Sequence, residues 1–542
     1  MKFNPAINLP LALLFMLPFL PAVGYYPAAV LVAGGVCLWL SIAGTFQKQA
    51  NWAISWSDIG ALLGLLAVLS TTLIDLARRD FSAISPATGI VLLIPLLLLG
   101  LNRFREEVQS STLFRFLPFL FLAVCLGWTL WQGIGVDFAV LTTRLSYSEG
   151  MGNVSQMAMY AAFCLILIMA NQANSLLWLL GAVIVALVLA YFLESKMLFG
   201  VTVLAGISYA TRSIARQKVL WVTLGICLVV VITVMLLKPA SLAGRVAVLQ
   251  TVLQNLSSEC IVGVGAGELD QFFNRIFVST QAENTMGEIG PIAFNEYLQA
   301  LVELGILGLL GLVIISRAVI QGKHPLLGLT LIAISFSMFP LQYIESAALW
   351  CLVAMVLSDF KPVWTLSKQP AKLLPLLSLG SLLLAVVFTW FYFQLYRADQ
   401  LIASGRVEAG LQQYLDLESR FIWNDEYYLL YGSHLEAAGK KMEAKAAYSM
   451  AAGINPSYTG MIHLGDLAYE ERNFLASMDH YAVAQRLRPE MLYPGYRQVY
   501  CLLGQSKELE AEALAGKLIA QYGEGKVPLQ AMMLNELKSI ME

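Results

Sequence analysis

Apolar residues run through this chain in long stretches, and the lengths of those stretches predict its elements. A helix that crosses a bilayer needs roughly 17 to 25 mainly apolar residues. Runs of that kind recur near 7–23, 26–45, 58–77, 85–101, 113–132, 154–171, 175–193, 197–211 and 219–237. A polar interval, 238–294, interrupts the series, and further runs follow near 295–316, 324–340, 345–359 and 373–394. The pattern predicts an all-α fold, a polytopic membrane bundle of about 12 to 13 helices. The first run is read as a retained helix and not as a cleaved leader, because further spans follow it at once.

Polar positions break this pattern in two places. The interval 238–294 carries Arg245, Glu268, Arg275, Glu283 and Glu288, and the apolar run after it still holds Asn295, Glu296, Gln299 and Glu303. A charged side chain near the centre of a membrane helix costs roughly 2.5 to 3.5 kcal/mol on insertion scales, so such groups face a protein interior or a wet cavity. Positions 296, 299 and 303 are spaced i, i+3, i+7 and share one helix face. From about residue 396 the chain becomes mixed polar and helical, and Gly432, Tyr448, Ala451 and Pro456 recur 33 residues later as Gly465, Tyr481, Ala484 and Pro489. Small residues at a helix crossing, an aromatic that fills the gap and a helix-ending proline make a helix-turn-helix repeat close to the tetratricopeptide pattern. Degenerate copies near 397–423 and 491–523 would cap the stack, since two repeats alone bury too little. The expected domains are therefore a membrane unit, 1–395, and a repeat unit, 396–542, that offers a surface to a protein partner.

Composition agrees with this division. The chain is 58% hydrophobic and 13% charged, with mean hydropathy +0.69, well outside the soluble globular range. Its net charge of −2, with no basic run interleaved with aromatics, gives no reason to expect nucleic acid as a partner. Lys and Arg in the short loops favour a cytoplasmic N-terminus, which puts the interval 238–294, the loop with Arg144 and Glu149, the turn LESKM and the repeat unit outside. No CxxC, HExxH, P-loop or GxSxG is present, so neither a metal nor a cofactor is expected. GVGAGE, 263–268, lacks the spacing of a dinucleotide site and reads as a tight turn. The four histidines, His324, His434, His463 and His480, all fall outside the outer loops of the membrane half, so either a general base there is a carboxylate or the acceptor is activated by position and charge alone. The outer cations Arg144, Lys196, Arg245 and Arg275 suit a lipid diphosphate, whose leaving charge must be neutralised.

Those segments also carry a resemblance. The order RLSYSEGMGNVSQMAMY, LESKM, GRVAVLQTVLQNLSSECIVGVGAGEL and AFNEYLQALVELGILGLLG is similar to the O-antigen ligase superfamily, at motif level over about residues 140–315 and in layout over the membrane half. The resemblance implies a metal-independent, inverting transfer of a glycan from undecaprenyl diphosphate to a hydroxyl acceptor at the periplasmic face of a bacterial inner membrane. The acceptor is lipid A core, a protein Ser or Thr, or a growing glycan. By position, Arg144 matches the arginine ahead of the family's Gly-Asn segment, Asn153 falls in that segment, and Arg245 matches the Gly-Arg motif. Lys196 occupies the place of an arginine, which keeps the charge and loses the bidentate fork. Phe294 stands where ligases carry a histidine before Asn-x-x-Leu, and Glu296 is the expected substitute, ahead of Glu283 and Glu288. The catalytic expectation is thus Glu296 and Arg245, with Arg144, Lys196, Arg245, Arg275, Asn153, Asn295 and Gln299 binding substrate. A non-catalytic protein that binds a lipid-linked glycan or scaffolds its assembly is the alternative, favoured by the missing histidine and by Lys196. A transporter would call for inverted repeats, which the sequence lacks.

Overall fold

The computed structural model describes residues 5–19, 22–23, 26–45, 51–77, 86–133, 154–171, 176–193, 195–210, 239–256, 259–280, 295–337, 341, 344–359, 361–367, 373–523 and 528–541. Those residues are helical almost throughout. The first half holds α1 (Pro5–Met16), α2 (Ala28–Thr45), α3 (Trp56–Ala77), α4 (Pro86–Arg103), α5 (Arg105–Ser110), α6 (Thr112–Gly133), α7 (Val154–Ala170), α8 (Leu176–Phe192) and α9 (Lys196–Ala210). The polar interval holds α10 (Pro239–Gln254), α11 (Glu259–Val262) and α12 (Leu269–Thr280), and it leads to α13 (Glu296–Gln321), α14 (Pro325–Ser337), α15 (Ile344–Leu357) and α16 (Leu373–Ala403). Among the described residues α2, α3 and α16 contain stretches long and apolar enough to cross a membrane, α13 reaches that length only over its two arms together, and shorter apolar helices occupy eight more of the predicted runs. The run at 219–237 lies outside the described residues.

Two short antiparallel ribbons depart from the all-α expectation. β1 (Ala22–Val23) pairs with β2 (Tyr26–Pro27), and β3 (Asn51–Ile54) pairs with β4 (Trp364–Ser367) in the register Asn51↔Ser367 to Ile54↔Trp364. The second ribbon closes one end of the bundle, where helix ends are tied together by side chains. Arg103 Nη2 donates to Gly44 O at 2.9 Å, and Arg105 Nη2 donates to Val356 O at 3.2 Å and to Ser358 O, so guanidinium groups meet the carbonyl ends of α2 and α15. Ser55 and Asp58 form a reciprocal cap at the start of α3, and Asn102 Nδ2 from α4 joins it by donating to Asp58 Oδ1 at 2.9 Å. Deeper in the bundle α2 and α16 meet where Gly34 packs on Leu382 and the Ser41 and Ser378 hydroxyls hydrogen-bond at 2.9 Å.

The long helix α16 carries the chain out of the apolar bundle and through the expected boundary at 395 without a break. Beyond it α17 (Val407–Leu417), α18 (Asp425–Ala437), α19 (Lys441–Ile454), α20 (Tyr458–Glu470), α21 (Phe474–Leu487), α22 (Leu492–Gly504), α23 (Glu508–Tyr522) and α24 (Pro528–Met541) follow one another in packed succession. The repeat positions do the same work in both copies: a Cβ added to Gly432 would lie 2.6 Å from the Tyr448 ring, and one added to Gly465 would lie 2.5 Å from the Tyr481 ring. Ala398 and Tyr414, 34 residues ahead of Gly432 and Tyr448, hold the same register, and both are fully buried. Each of these tyrosines donates to a carboxylate that also meets a basic side chain. Asp399 takes Tyr414 and His434, Glu436 takes Tyr448 and His463, and Asp466 takes Tyr481 and Arg497. The sequence repeat was legible without these bonds, which link residues far apart in the chain.

The polar interval does not float free of this second half. Val248 and Val252 of α10, Phe273 and Phe277 of α12, and Leu298 and Val302 of α13 share one apolar cluster with Met461, Ala484 and Leu487. A polar junction sits beside it. Asn455 Nδ2 donates to both Asp270 Oδ2 and Asp425 Oδ2 at 3.0 Å, and its Oδ1 accepts from Asn274 Nδ2 at 2.9 Å. Burial pushes the Asp270 carboxyl above the ordinary carboxylate range, although its hydrogen bonds and the Arg275 charge oppose this. Burial, together with the Asp270 and Glu426 charges, pushes Asp425 up to about 6.

A carboxyl raised in the folded state binds its proton more tightly there than in the unfolded chain. Its contribution is full below the ordinary value of 3.8 and is lost as pH rises through 6. Thermal unfolding of the full chain should therefore show Asp425→Asn more stable than the parent at pH 7.5 and equal to it near pH 4. The same stability gap at both pH values would remove the junction as the cause.

Candidate functional site

Helix α13 is the element from which the site is built, and it is not one rod. Its backbone leaves the helical region at Gly305, with φ 69° and ψ −163°. The Tyr297 hydroxyl nevertheless bonds to the Ser316 hydroxyl, which itself donates to Leu312 O at 2.7 Å. On an unbroken helix those 19 positions would stand roughly 28 Å apart. The two arms, 296–304 and 306–321, therefore fold back on each other, and a Cβ added to Gly308 would lie 3.2 Å from Ala300 O. The single span expected at 295–316 is corrected to this sharp reversal. A glycine in a left-handed conformation, followed by Gly308 and Gly311, allows it.

The GVGAGE segment holds the break. Val264 N donates to Val302 O at 2.8 Å and Gly265 N donates to Glu303 O at 3.1 Å, so carbonyls released by the interrupted helix find partners. The approach is close enough to require bare backbone on both sides. A Cβ on Gly263 would come within 2.3 Å of Glu303 O, and one on Gly305 within 2.4 Å of Ile261 O. GVGAGE is thus a turn, as its glycines suggested, with the added role of capping a broken membrane helix.

The two arms and helices α3 and α4 line a partly open cavity of about 450 Å³. Helix α13 reaches α3 through small residues: a Cβ on Gly60 would lie 2.7 Å from Gly311 O, and one on Gly311 would lie 2.8 Å from Gly60 O. Val68, Ile90, Ile94, Leu98, Leu312 and Ile315 make most of the wall apolar. Its polar end is the face predicted from spacing, Glu296, Gln299 and Glu303, all buried. Glu296 Oε1 accepts from Leu341 N at 2.8 Å. Glu303 receives Gln299 Nε2 at 3.0 Å, and the backbone of Gly267 and Leu269 lies beside its carboxyl. Gln299 Oε1 is buried with no hydrogen-bond partner among the described residues.

The other expected residues are placed differently. Asn295 is the N-cap of α13, with Oδ1 accepting from Tyr297 N at 3.0 Å and Leu298 N at 3.2 Å, so its side chain serves the helix start. Arg275 is exposed on α12 and donates to Gln271 Oε1 at 3.0 Å, and Lys196 is exposed at the start of α9. Neither lines the cavity. Arg245 belongs to α10, one turn ahead of Val248, and its side chain lies outside the described residues, as do Arg144, Glu149, Asn153, Glu194, Glu283, Glu288 and Phe294. No group of three or more metal-ligating side chains occurs among the described residues. The glycines at 60, 64 and 311 escaped the sequence reading, although Gly60 and Gly64 have the small-xxx-small spacing that marks a helix crossing.

Substitution separates the close approach from mere backbone strain. Gly405 also has a positive φ, 83°, yet nothing surrounds a Cβ there, so Gly405→Ala should cost about 1 to 2 kcal/mol. Gly263→Ala and Gly305→Ala meet backbone as well and should lower the thermal midpoint well beyond Gly405→Ala. Equal losses in all three would show that the two backbones do not pack as described. No family model matches this chain, and no curated protein does.

Proposed function

We propose that the protein is a membrane glycan transferase that moves a glycan from an undecaprenyl diphosphate carrier to a hydroxyl acceptor, with its site on the periplasmic face of a bacterial inner membrane. The observation that carries this reading is Glu296, a carboxyl group at the start of a broken helix, buried and lining a cavity, with Oε1 accepting from Leu341 N and no second partner among the described residues. In that role Glu296 takes the proton of the acceptor hydroxyl as its oxygen attacks the anomeric carbon. The bond from that carbon to the diphosphate breaks on the opposite side, the configuration inverts, and the carrier diphosphate leaves with the bonding pair. Arg245 and Arg144 neutralise the leaving charge, while Gln299 and Glu303 orient hydroxyls. Acid-lined space suits the acceptor half of this reaction and repels the diphosphate half.

The repeat unit is a periplasmic tetratricopeptide-like solenoid in this reading, packed on the interval that carries Arg245. Its surface meets a large acceptor or a protein partner. A second reading is favoured by the lining itself. Among the described residues no cation shares the cavity with Glu296 and Glu303, which suits a protein that binds or escorts a lipid-linked glycan without transferring it.

Reconstitution with a lipid-linked glycan separates the two. The parent should transfer glycan and release carrier diphosphate, Arg245→Ala should lose most of that activity, and Glu296→Gln should lower the rate about 10²- to 10⁴-fold, the usual range for a general base. A parent that binds the carrier and transfers nothing leaves the escort reading. Full activity in Glu296→Gln removes Glu296 as the base.

A further inference from the structure

The joint between the two halves of the chain turns on one side-chain amide. Asn455, the residue after α19 and only 3% exposed, gives its two N–H groups to Asp270 Oδ2 of α12 and Asp425 Oδ2 of α18, each at 3.0 Å. Two carboxyl oxygens that share one nitrogen at that distance lie at most about 6 Å apart. The apolar cluster that holds Phe273, Leu298 and Met461 sits beside them and limits screening by water and salt. Carboxyls so placed do not both ionise freely. One proton removes their repulsion and still leaves each group an oxygen that accepts from Asn455.

We propose that this junction is a proton-held clasp. A proton shared by Asp270 and Asp425 seats the repeat helices on α12, and its loss loosens α12 and with it the arm of α13 that carries Leu298 and Val302. The fit of the repeat unit, and through that arm the shape of the cavity, then answers to the pH of the space around the repeats. Other charges act on the pair. Arg275 on α12 opposes protonation of Asp270, Glu303 on the first arm of α13 is coupled to Asp270, and Glu426 on α18 meets the charges of both aspartates and works in the same direction as they do. Helix α21, which also packs on α12, carries Asp479, His480 and Arg486. Burial holds the His480 ring below its ordinary value, so that group works in the opposite sense and costs stability as pH falls. With Asp425 at about 6 when docked and 3.8 when free, the clasp is full below 3.8 and is lost as pH rises through 6. Between pH 5 and pH 7.5 this amounts to about a tenfold change in the docking equilibrium. The proposal concerns how the halves are coupled and stands whether or not glycan is transferred.

Hydrogen exchange of the full chain in nanodiscs at pH 5 and pH 7.5 tests it, with each amide rate divided by the intrinsic chemical rate at that pH. Protection of α12, 269–280, and of the start of α20, 458–462, should fall about tenfold at the higher pH. A smaller fall should appear over 298–304, while α15, buried in the bundle, stays unchanged. Asp425→Asn should shrink the change. The double substitution of Asp270→Asn with Asp425→Asn, which keeps an acceptor oxygen on each side of Asn455, should remove it, and Asp479→Asn on α21 should leave it as in the parent. Equal protection of α12 at the two pH values in the parent would overturn the clasp without recourse to any variant. So would an undiminished fall in the double variant, a fall of the same size in α15, or a fall that His480→Gln abolishes. Glycan transfer plays no part in these readouts, so a failed transfer assay and a failed exchange test remain distinct results.

Discussion

The pair of backbone bonds from Val264 N and Gly265 N to the carbonyls of Val302 and Glu303 is the constraint on which the rest of the site depends. A helix interrupted inside an apolar bundle exposes carbonyls that apolar surroundings cannot satisfy, at several kcal/mol for each group left alone. The glycine turn supplies those partners from a different part of the chain. With them in place α13 can reverse at Gly305, and the reversal is what brings Glu296 and Ile315 to one cavity. Without it, residues 296 and 315 would lie at opposite ends of a rod and the acidic face would open toward lipid.

The reversal also gives the first arm of α13 two occupied faces. Glu296, Gln299 and Glu303 turn to the cavity, while Leu298 and Val302 join the cluster that contains α10, α12 and the repeat helices. One short arm thus separates a polar pocket from the docking surface of the second half of the chain. Its stability is shared between them. The apolar cluster holds one side by burial, and the backbone of Gly267 and Leu269 lies beside the Glu303 carboxyl on the other. A shift of α12 against the repeats would be felt at Leu298 and Val302 before it reached Glu296 one turn away.

Much of the architecture was legible because it rests on local pattern. Apolar run length located the helices, and the i, i+3, i+7 spacing of Glu296, Gln299 and Glu303 marked a common face that lines the cavity. The repeat was read from Gly432, Tyr448 and their copies 33 residues on, and the degenerate copy expected near 397–423 holds Ala398 and Tyr414 at the corresponding positions, 34 residues ahead. What escaped depends on contacts between distant segments. Nothing within LVELGILGLLG announces that the chain doubles back, since each glycine there is tolerable in a straight membrane helix. The reversal follows from Gly263 meeting Gly305, 42 positions away in sequence, with both Cβ sites blocked by backbone. The capping role of Asn295 escaped for a related reason: an asparagine ahead of an apolar helix looks alike in sequence whether or not it caps, and only its two backbone bonds show that it does.

The polar residues that first looked out of place in an apolar run are therefore consequences of the broken helix. A continuous span has no use for three polar side chains on one face, and inserting them would cost several kcal/mol. Folding the arm back against α3 and α4 removes that face from lipid and gives each group a defined neighbour: Leu341 N for Glu296, Glu303 for Gln299, and Gln299 with the backbone of Gly267 and Leu269 for Glu303. Gln299 Oε1 has no hydrogen-bond partner among the described residues. The broken helix therefore answers most of the cost of its polar face from within the chain, through backbone amides and through the members of the face itself.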